Sequence, residues 1–101
     1  MQIDWDPIKN DENIRRHHLD FSDGWEIFEG PMFTEIDDRY DYGEVRTKGI
    51  GFLRDLIVVI IFTEINDYVV RMISFRRAIK YEREQFYKYL RDELGSSEID
   101  V

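Results

Sequence analysis

A run of consecutive apolar residues at positions 56–62 constrains the fold more than any other feature of the sequence. Five of these seven residues are β-branched, which favours a strand. A strand with one solvent-exposed face alternates apolar and polar side chains. A run without this alternation therefore predicts a central strand that is covered on both faces. The run is far too short to cross a membrane. The rest of the chain is therefore expected to supply neighbouring strands and the helices that lie before and after this sheet.

The segment before this strand carries signals for two helices. Asp6 is expected to be the N-cap of the first helix, with Pro7 at its first position, where a missing N–H costs nothing. This helix is predicted to end near His17. Ser22 is expected to cap the second helix, and the helical spacing of its aromatic residues predicts that Trp25 packs inward. Glycine and proline at positions 30 and 31 are expected to end it.

Further strands are predicted at residues 3–5, 32–36, 44–52 and 68–75, and a last helix at residues 77–94. The last strand is expected to return antiparallel to the central one, with Arg71 and Phe75 on one face and Met72 and Ser74 on the other. The fold class that follows is α+β, with two N-terminal helices, a mostly antiparallel sheet of four to five strands, and a C-terminal helix.

Length and composition point to a single domain. At 101 residues the chain is expected to form one domain over residues 1–94, followed by a flexible acidic tail at residues 95–101. There is no cysteine, which excludes disulfides, thiolate metal sites and a thiol nucleophile. The first residues lack a basic region followed by an apolar stretch, so no signal peptide is expected and a cytoplasmic protein is predicted.

The strongest charge feature is a basic segment at residues 71–91. It holds seven Lys/Arg and two acidic residues, a local balance of +5 in a chain whose net charge is −8. The overall acidity argues mildly against nucleic acid as a partner, but a basic patch can act despite a net negative charge. Arginine suits phosphate binding, because its planar guanidinium group matches phosphate oxygens. The alternative is that these charges pair with nearby carboxylates and only form a solvated face.

Motifs along most of the chain resemble the BrnT family of type II toxins. The N-terminal motifs are Trp-Asp-Pro at positions 5–7, followed by Lys9, Asn13, His17 and Phe21. The C-terminal motifs are Glu-Val-Arg at 44–46, Ile-Gly at 50–51, Arg-Met-Ile-Ser-Phe-Arg-Arg-Ala at 71–78 and Glu-Arg at 82–83. The resemblance covers about residues 3–87, and its most specific part is the segment around positions 73–78.

This resemblance implies a small ribonuclease toxin with a RelE-like fold that cleaves RNA and inhibits translation. It also implies a ribbon-helix-helix antitoxin, which neutralises the toxin and forms with it a complex that represses their own operon. Operator DNA would then be bound only through the antitoxin. The antitoxin is expected to cover the basic helix and hide the phosphate site.

RNA cleavage by transesterification needs a deprotonated 2′-OH, stabilisation of the phosphorane charge, and a proton for the leaving 5′ oxygen. Four arginines are expected to converge on one scissile phosphate and stabilise its charge: Arg46, Arg71, Arg76 and Arg77. Glu82 is a candidate general base, or it orients the neighbouring cations. Candidate RNA-binding residues combine positive charge with a stacking ring: Lys9, Lys80, Tyr81 and Arg83.

A pair of histidines invites a metal site, but the pattern argues against one. His17 and His18 are adjacent, and adjacent side chains on a helix point about 100° apart, so they seldom chelate together. No metal and no cofactor are expected. His17 is predicted instead to pack at the helix end and to bond a carbonyl.

Two functional hypotheses follow. The first is a metal-independent endoribonuclease toxin, with RNA and an antitoxin as partners and no contact with a membrane. The alternative is a catalytically weak or inactive homologue that acts as an interaction protein and co-repressor. The acidity of the chain favours the alternative, as do Tyr81 and Phe86, which depart from the basic residue and the tyrosine that are common in the family.

Overall fold

The computed structural model describes residues 1–39 and 41–93. Its helices are α1 (Pro7–His17), α2 (Trp25–Glu29) and α3 (Lys80–Glu93), and a 3₁₀ turn (Phe21–Asp23) precedes α2. Its strands are β1 (Gln2–Asp4), β2 (Met32–Asp37), β3 (Arg46–Leu53), β4 (Leu56–Glu64) and β5 (Val69–Arg77). None of these helices is long and apolar enough to cross a membrane. The α+β class is confirmed, and the predicted acidic tail lies outside the described residues.

The strands form one sheet in the order β1-β5-β4-β3-β2. β4 lies at its centre, as the apolar run predicted, and pairs antiparallel with β3 and β5. β2 pairs antiparallel with β3, whereas β1 pairs in parallel with β5, with Gln2 opposite Val69. The sheet is therefore mixed, and the prediction of a mostly antiparallel sheet is wrong. A parallel pair joins segments that are distant in the sequence, so no local turn signal announces it.

Both faces of β4 are buried. A first core lies between the sheet and the segment that holds α1 and α2, and it includes Phe21, Ile27, Val58, Ile60 and Phe62. A second core lies between the sheet and α3, and it includes Ile50, Ile57, Val59, Ile61 and Phe86. Each fully buried side chain of this size contributes about 1.5–3 kcal/mol. The central strand is thus stabilised from both sides, as its lack of polar residues requires.

The predicted N-cap is found at the start of α1 but not at the start of α2. Asp6 caps α1 as predicted, because its Oδ1 accepts a hydrogen bond from Ile8 N–H at 2.9 Å. Ser22 does not cap α2, whose N-cap is Gly24 with no side-chain hydrogen bond. Asp20 caps the preceding 3₁₀ turn, since Asp20 Oδ1 accepts from Ser22 N–H at 2.9 Å. This 3₁₀ turn changes the helical phase. Trp25 is consequently 51% exposed, and its predicted inward packing is wrong.

A β-bulge in β5 changes which side chains face the functional site. The pairing with β4 leaves Ile73 as an extra residue between Met72 and Ser74. Phe75 consequently joins Met72 in the first core, so the predicted alternation along this strand is wrong. Ser74 and Arg76 turn to the opposite side of the sheet, toward α3.

Asn13 ties α1 to β5 beyond the end of β1. Its amide group donates a hydrogen bond to Phe75 O at 2.8 Å and accepts one from Phe75 N–H at 3.1 Å. The same amide donates to Leu19 O at 2.9 Å. Asn13 therefore takes the place that a neighbouring strand would have, and it holds the end of α1, with His17, beside β5.

Replacing Asn13 by alanine is expected to lower the free energy of unfolding by about 2–3 kcal/mol, because buried backbone groups of Phe75 and Leu19 lose their partners. Urea denaturation measures this change. Glu12→Ala, at the exposed neighbouring position, is the control and should change stability by less than about 0.5 kcal/mol. Equal stability of the two variants would contradict the role assigned to Asn13.

Candidate functional site

A concave polar cavity of about 450 Å³ opens on the α3 side of the sheet. Its walls come from the C-terminal end of α1, from β3 and β5, and from the loop that follows β2. The lining side chains with useful chemistry are His17, Tyr42, Arg46, Lys48, Ser74 and Arg76. We refer to this site as the His17 cavity.

Strand periodicity and the bulge explain why these side chains meet. Arg46 and Lys48 are two residues apart on β3, so they share one face of the sheet. Lys48 lies opposite Ile61 of β4, which in turn lies opposite Ser74 of β5. Arg76 follows Ser74 by two residues and shares its face. Without the bulge, this part of β5 would present its other side chains to the cavity.

Glu82, in the first turn of α3, organises two of the cations. It is 3% exposed, and its carboxylate accepts two hydrogen bonds from Arg76, each of 2.8 Å. The Nζ of Lys48 lies 2.8 Å from its second oxygen. Glu82 also accepts a hydrogen bond from Ile79 N–H at 3.0 Å, which secures the start of α3. Both oxygens are thus engaged by the chain itself.

The protonation of Glu82 follows from these contacts. Burial alone raises the pKa of Glu82, but the hydrogen bonds from Arg76 and then Lys48 outweigh it and lower the pKa to about 2. A carboxylate this acidic accepts protons poorly at neutral pH. The geometry therefore favours the second of the two roles predicted for Glu82, which is to orient Arg76 and Lys48.

The loop after β2 forms a wall with its own ion pairs. The Arg46 Cζ atom lies 3.8 Å from the centroid of the Tyr42 ring, in a cation–π contact, and Arg46 Nε donates to Glu44 at 3.3 Å. The buried Asp37 accepts hydrogen bonds from Arg39 at 2.7 and 3.0 Å, and these hold the pKa of Asp37 below its usual value. An aromatic ring and an exposed carboxylate thus position Arg46. Among the described residues, no buried carboxylate forms an ion pair with it.

His17 is the cavity residue whose side chain titrates nearest to neutral pH. Partial burial lowers the pKa of His17, and the positive charges of Arg16 and Arg76 lower it further. The imidazole is therefore neutral at pH 7 and able to accept a proton. Among the described residues no backbone carbonyl bonds to this ring, so the predicted carbonyl contact is wrong.

Two of the four predicted arginines, at positions 46 and 76, line the cavity. Arg71 lies instead at the β1 edge of the sheet, where its Nη2 is 2.7 Å from Asp4. Arg77 lies opposite Val58, whose side chain belongs to the first core, so Arg77 points to the other face of the sheet. The structure therefore does not bring Arg71 and Arg77 to the phosphate site that was expected for them.

The predicted RNA-binding residues are also divided. Lys9 borders a smaller concavity of about 170 Å³ that shares His17 and Ser74 with the cavity, so it extends the site along α1. The other three lie at the start of α3, outside the cavity wall: Lys80, Tyr81 and Arg83. The guanidinium group of Arg83 donates to Ala78 O at 2.8 Å.

Four cavity residues were not expected as site residues from the sequence: His17, Tyr42, Lys48 and Ser74. Lys48 carried a usable signal, because it is two residues from Arg46 on a predicted strand. His17 also carried a signal, because it belongs to the N-terminal motifs that resemble the toxin family and a free histidine side chain titrates near neutral pH. Tyr42 carried none, since the loop after β2 meets the sheet only in the folded chain. Ser74 was assigned to the wrong face because the bulge was not expected.

The side chains that could bind a metal ion in this chain are those of His, Asp and Glu. Within residues 1–39 and 41–93, no three His, Asp or Glu side chains come together in a way that could hold a metal ion. His18 follows the end of α1 with a left-handed backbone, at φ 61°, whereas His17 is the last residue of the helix. The two imidazoles are therefore placed by different backbone conformations.

Residues 5–82 match the sequence model of a family described as "Ribonuclease toxin, BrnT, of type II toxin-antitoxin system". The crystal structure of the Brucella abortus ribonuclease toxin BrnT is similar to this chain, with 29% sequence identity and a TM-score of 0.62. The match covers 79% of this chain and 99% of that one. No curated protein matches the chain. Because the family match spans most of the chain and includes the cavity, the chain belongs to the BrnT family of ribonuclease toxins of type II toxin–antitoxin systems.

Proposed function

We propose that this chain is a metal-independent endoribonuclease whose reaction takes place in the His17 cavity. One observation carries this proposal: besides Arg39, which is paired with the buried Asp37, a neutral imidazole and three cations line the same cavity, namely His17, Arg46, Lys48 and Arg76. Membership of the BrnT family supports the reaction class, which is RNA cleavage. We propose in addition the roles of the individual residues and a RelE-like fold.

The cations are proposed to bind the scissile phosphate. The guanidinium groups of Arg46 and Arg76 offer planar pairs of donors that match phosphate oxygens, and Lys48 adds a point charge. Glu82 and Tyr42 hold these groups in place before RNA arrives. Cations that are already oriented stabilise the developing charge of the phosphorane with little reorganisation, which is commonly the largest catalytic contribution.

His17 is proposed to be the general base. Its neutral imidazole would take the proton of the ribose 2′-OH, and the 2′ oxygen would then form a bond to phosphorus. The bond from phosphorus to the 5′ oxygen breaks, and the leaving oxygen takes a proton from water. The products are a 2′,3′-cyclic phosphate and a free 5′-OH. Because three side-chain cations supply positive charge at the phosphate, the proposal assigns no divalent ion to this step.

The remaining predicted residues are proposed to act outside the reaction centre. Arg71 and Arg77 would at most contact phosphates that flank the scissile one, since they do not line the cavity. Four other residues are proposed to bind the RNA on either side of the cavity: Lys9, Lys80, Tyr81 and Arg83. In the cell, we propose that RNA cleavage occurs in the cytoplasm and inhibits translation, and that a ribbon-helix-helix antitoxin neutralises the chain and carries it to operator DNA.

A second candidate function is that of a catalytically weak toxin homologue that serves as an interaction and co-repressor protein. One observation favours it: acidic side chains line the same cavity, at Glu35, Asp37 and Asp38. Negative charges close to the site would repel an RNA phosphate and weaken its binding. Asp37 is already paired with Arg39, which reduces this effect.

The purified chain is expected to cleave RNA in the presence of EDTA. Arg46→Ala should lower the cleavage rate by about 10²-fold, because a preoriented cation is lost. Arg54→Ala, just beyond the other end of β3, is the matched control and should keep the wild-type rate. Intact RNA under every condition, together with normal growth when the chain is expressed without its antitoxin, would exclude the nuclease and support the second function.

A further inference from the structure

A second surface, rich in exposed apolar side chains, lies at the end of the sheet where β2 and β4 end and where β1, β3 and β5 begin. Two concavities of about 530 and 430 Å³ open there. Large apolar side chains that are between 49% and 76% exposed lie in or beside them: Met1, Trp25, Ile36, Val45, Ile65 and Tyr68. We call this set the bare apolar face. Exposed apolar patches of this kind mark interaction sites in soluble proteins.

The sheet register joins the two concavities into one surface. Thr47, which lines the larger concavity, lies opposite Phe62 of β4. Ile36 lines both this concavity and the His17 cavity, so the two adjoin at that residue. Phe62 of β4, which belongs to the first core, contacts the ring of Phe28 at 5.1 Å between centroids. Phe28 lines the smaller concavity, so the first core lies beneath the surface that connects both.

The other end of this face is built by the parallel pair of strands. Gln2 N–H donates to Tyr68 O at 2.6 Å, which places Met1 beside Tyr68 at the edge of the sheet. Ile3 and Val70 continue from them into the first core. α1 and α2 cover the core but leave this margin of the sheet open among the described residues.

The charged side chains that line the two concavities are all acidic, with Glu44 and Glu64 in the larger and Glu29 in the smaller. Glu44 pairs with Arg46, whereas Glu29 and Glu64 form no ion pair within the described part of the chain. A second copy of this chain would bring like charges together at this face, which opposes self-association. A partner segment with apolar side chains flanked by Lys or Arg would complement it.

We propose that the antitoxin of this system docks on the bare apolar face through an apolar segment flanked by basic residues. This rests on membership of a type II toxin family, which implies such a partner, and not on the proposed nuclease mechanism. The bare apolar face adjoins the His17 cavity at Ile36, but Trp25 and Tyr68 do not line that cavity. Substitutions at Trp25 and Tyr68 are therefore expected to weaken neutralisation without touching the nuclease site.

Titration calorimetry of the full-length toxin variants with the purified cognate antitoxin tests this proposal. A Trp25→Ser/Tyr68→Ser double variant is expected to bind at least about tenfold more weakly, as for the loss of aromatic anchors from an interface. An Ile79→Ser/Tyr87→Ser double variant, which replaces two exposed apolar residues on and beside α3, is the matched control and should keep wild-type affinity. Circular dichroism and the unfolding midpoint verify that both variants fold.

Two outcomes overturn the proposal. Wild-type affinity of the Trp25→Ser/Tyr68→Ser variant does so, above all if the α3 variant loses binding, because the antitoxin then docks on the basic helix. A loss of self-association in sedimentation, with antitoxin affinity unchanged, assigns the face to a second copy of the chain.

RNA cleavage by the free variants is measured separately and should equal that of the wild type. Failure of the nuclease proposal would remove that activity in all variants and leave the binding result intact.

Discussion

Replacing His17 by alanine is expected to lower the rate of RNA cleavage by about 10²- to 10⁴-fold, which is the usual contribution of a positioned general base. The imidazole is neutral at pH 7 because partial burial and the nearby arginines lower the pKa of His17. Alanine cannot take the proton of the 2′-OH, while the cations of the cavity remain. Single-turnover cleavage of a labelled RNA measures the effect on the chemical step.

The matched control is the neighbouring histidine. His18 is exposed and lies outside the cavity wall, and its left-handed backbone is tolerated by asparagine, so His18→Asn should retain the wild-type rate. If the His17→Ala and His18→Asn variants cleave RNA equally fast, His17 has no part in the proton transfer.

The pH dependence of cleavage gives an independent readout. The rate should rise with pH as His17 loses its proton, and this rise should lie below pH 6.5, since the pKa of His17 is lowered from 6.5. Arg16→Ala removes a charge that contributes to this lowering, so it should move the rise to higher pH. The residual rate of His17→Ala should show no such rise; the same profile in that variant would assign the titration to another group.

Replacing Glu82 by glutamine is expected to lower the free energy of unfolding by about 2–3 kcal/mol, because two cations lose their shared buried counter-ion. The side chains of Lys48 and Arg76 are 23% and 30% exposed, so water relieves part of the cost and the effect falls below the range of about 3–5 kcal/mol for a fully buried pair. Urea denaturation at pH 7 measures it. Glu84→Gln, the same substitution on the exposed side of α3, should cost less than about 0.5 kcal/mol.

The same carboxylate makes stability depend on acid pH. Glu82 has a pKa of about 2 in the folded chain and near its usual 4.5 when unfolded. Its contribution of about 3 kcal/mol is therefore present above pH 4.5 and is lost progressively as the pH falls toward 2. Stability measured across this range should fall less steeply in Glu82→Gln than in the wild type. Parallel curves for the two proteins would show that other carboxylates cause the acid sensitivity.

Local patterns were sufficient to predict most elements. The apolar run at residues 56–62 predicted β4 and its burial on both faces, because side chains alternate along a strand and this run has no polar member. Asp6 and Pro7 predicted the start of α1, because an N-cap is a hydrogen bond between near neighbours. Arg46, Arg76 and Glu82 were selected by their charge chemistry, in motifs that resemble the toxin family.

Features that depend on distant residues were not predictable in the same way. The side-chain pattern of β5 does not announce an extra residue at Ile73, yet that bulge decides that Ser74 and Arg76 face the cavity. The parallel pairing of β1 with β5 joins residues 2–4 to residues 69–71. The bond from Asn13 to Phe75, which brings His17 to the sheet, also spans this distance.

The amino-acid sequence therefore specified the period of each element, its caps, and the chemistry available for binding phosphate, since these depend on residues within a few positions of one another. Folding settled which of those side chains share a cavity. Strand register, one bulge and one buried amide turned Arg76 inward and Arg77 away and brought in His17 and Lys48. Such contacts are made by residues far apart in the chain. A sequence pattern that covers only a few neighbouring residues therefore does not predict them.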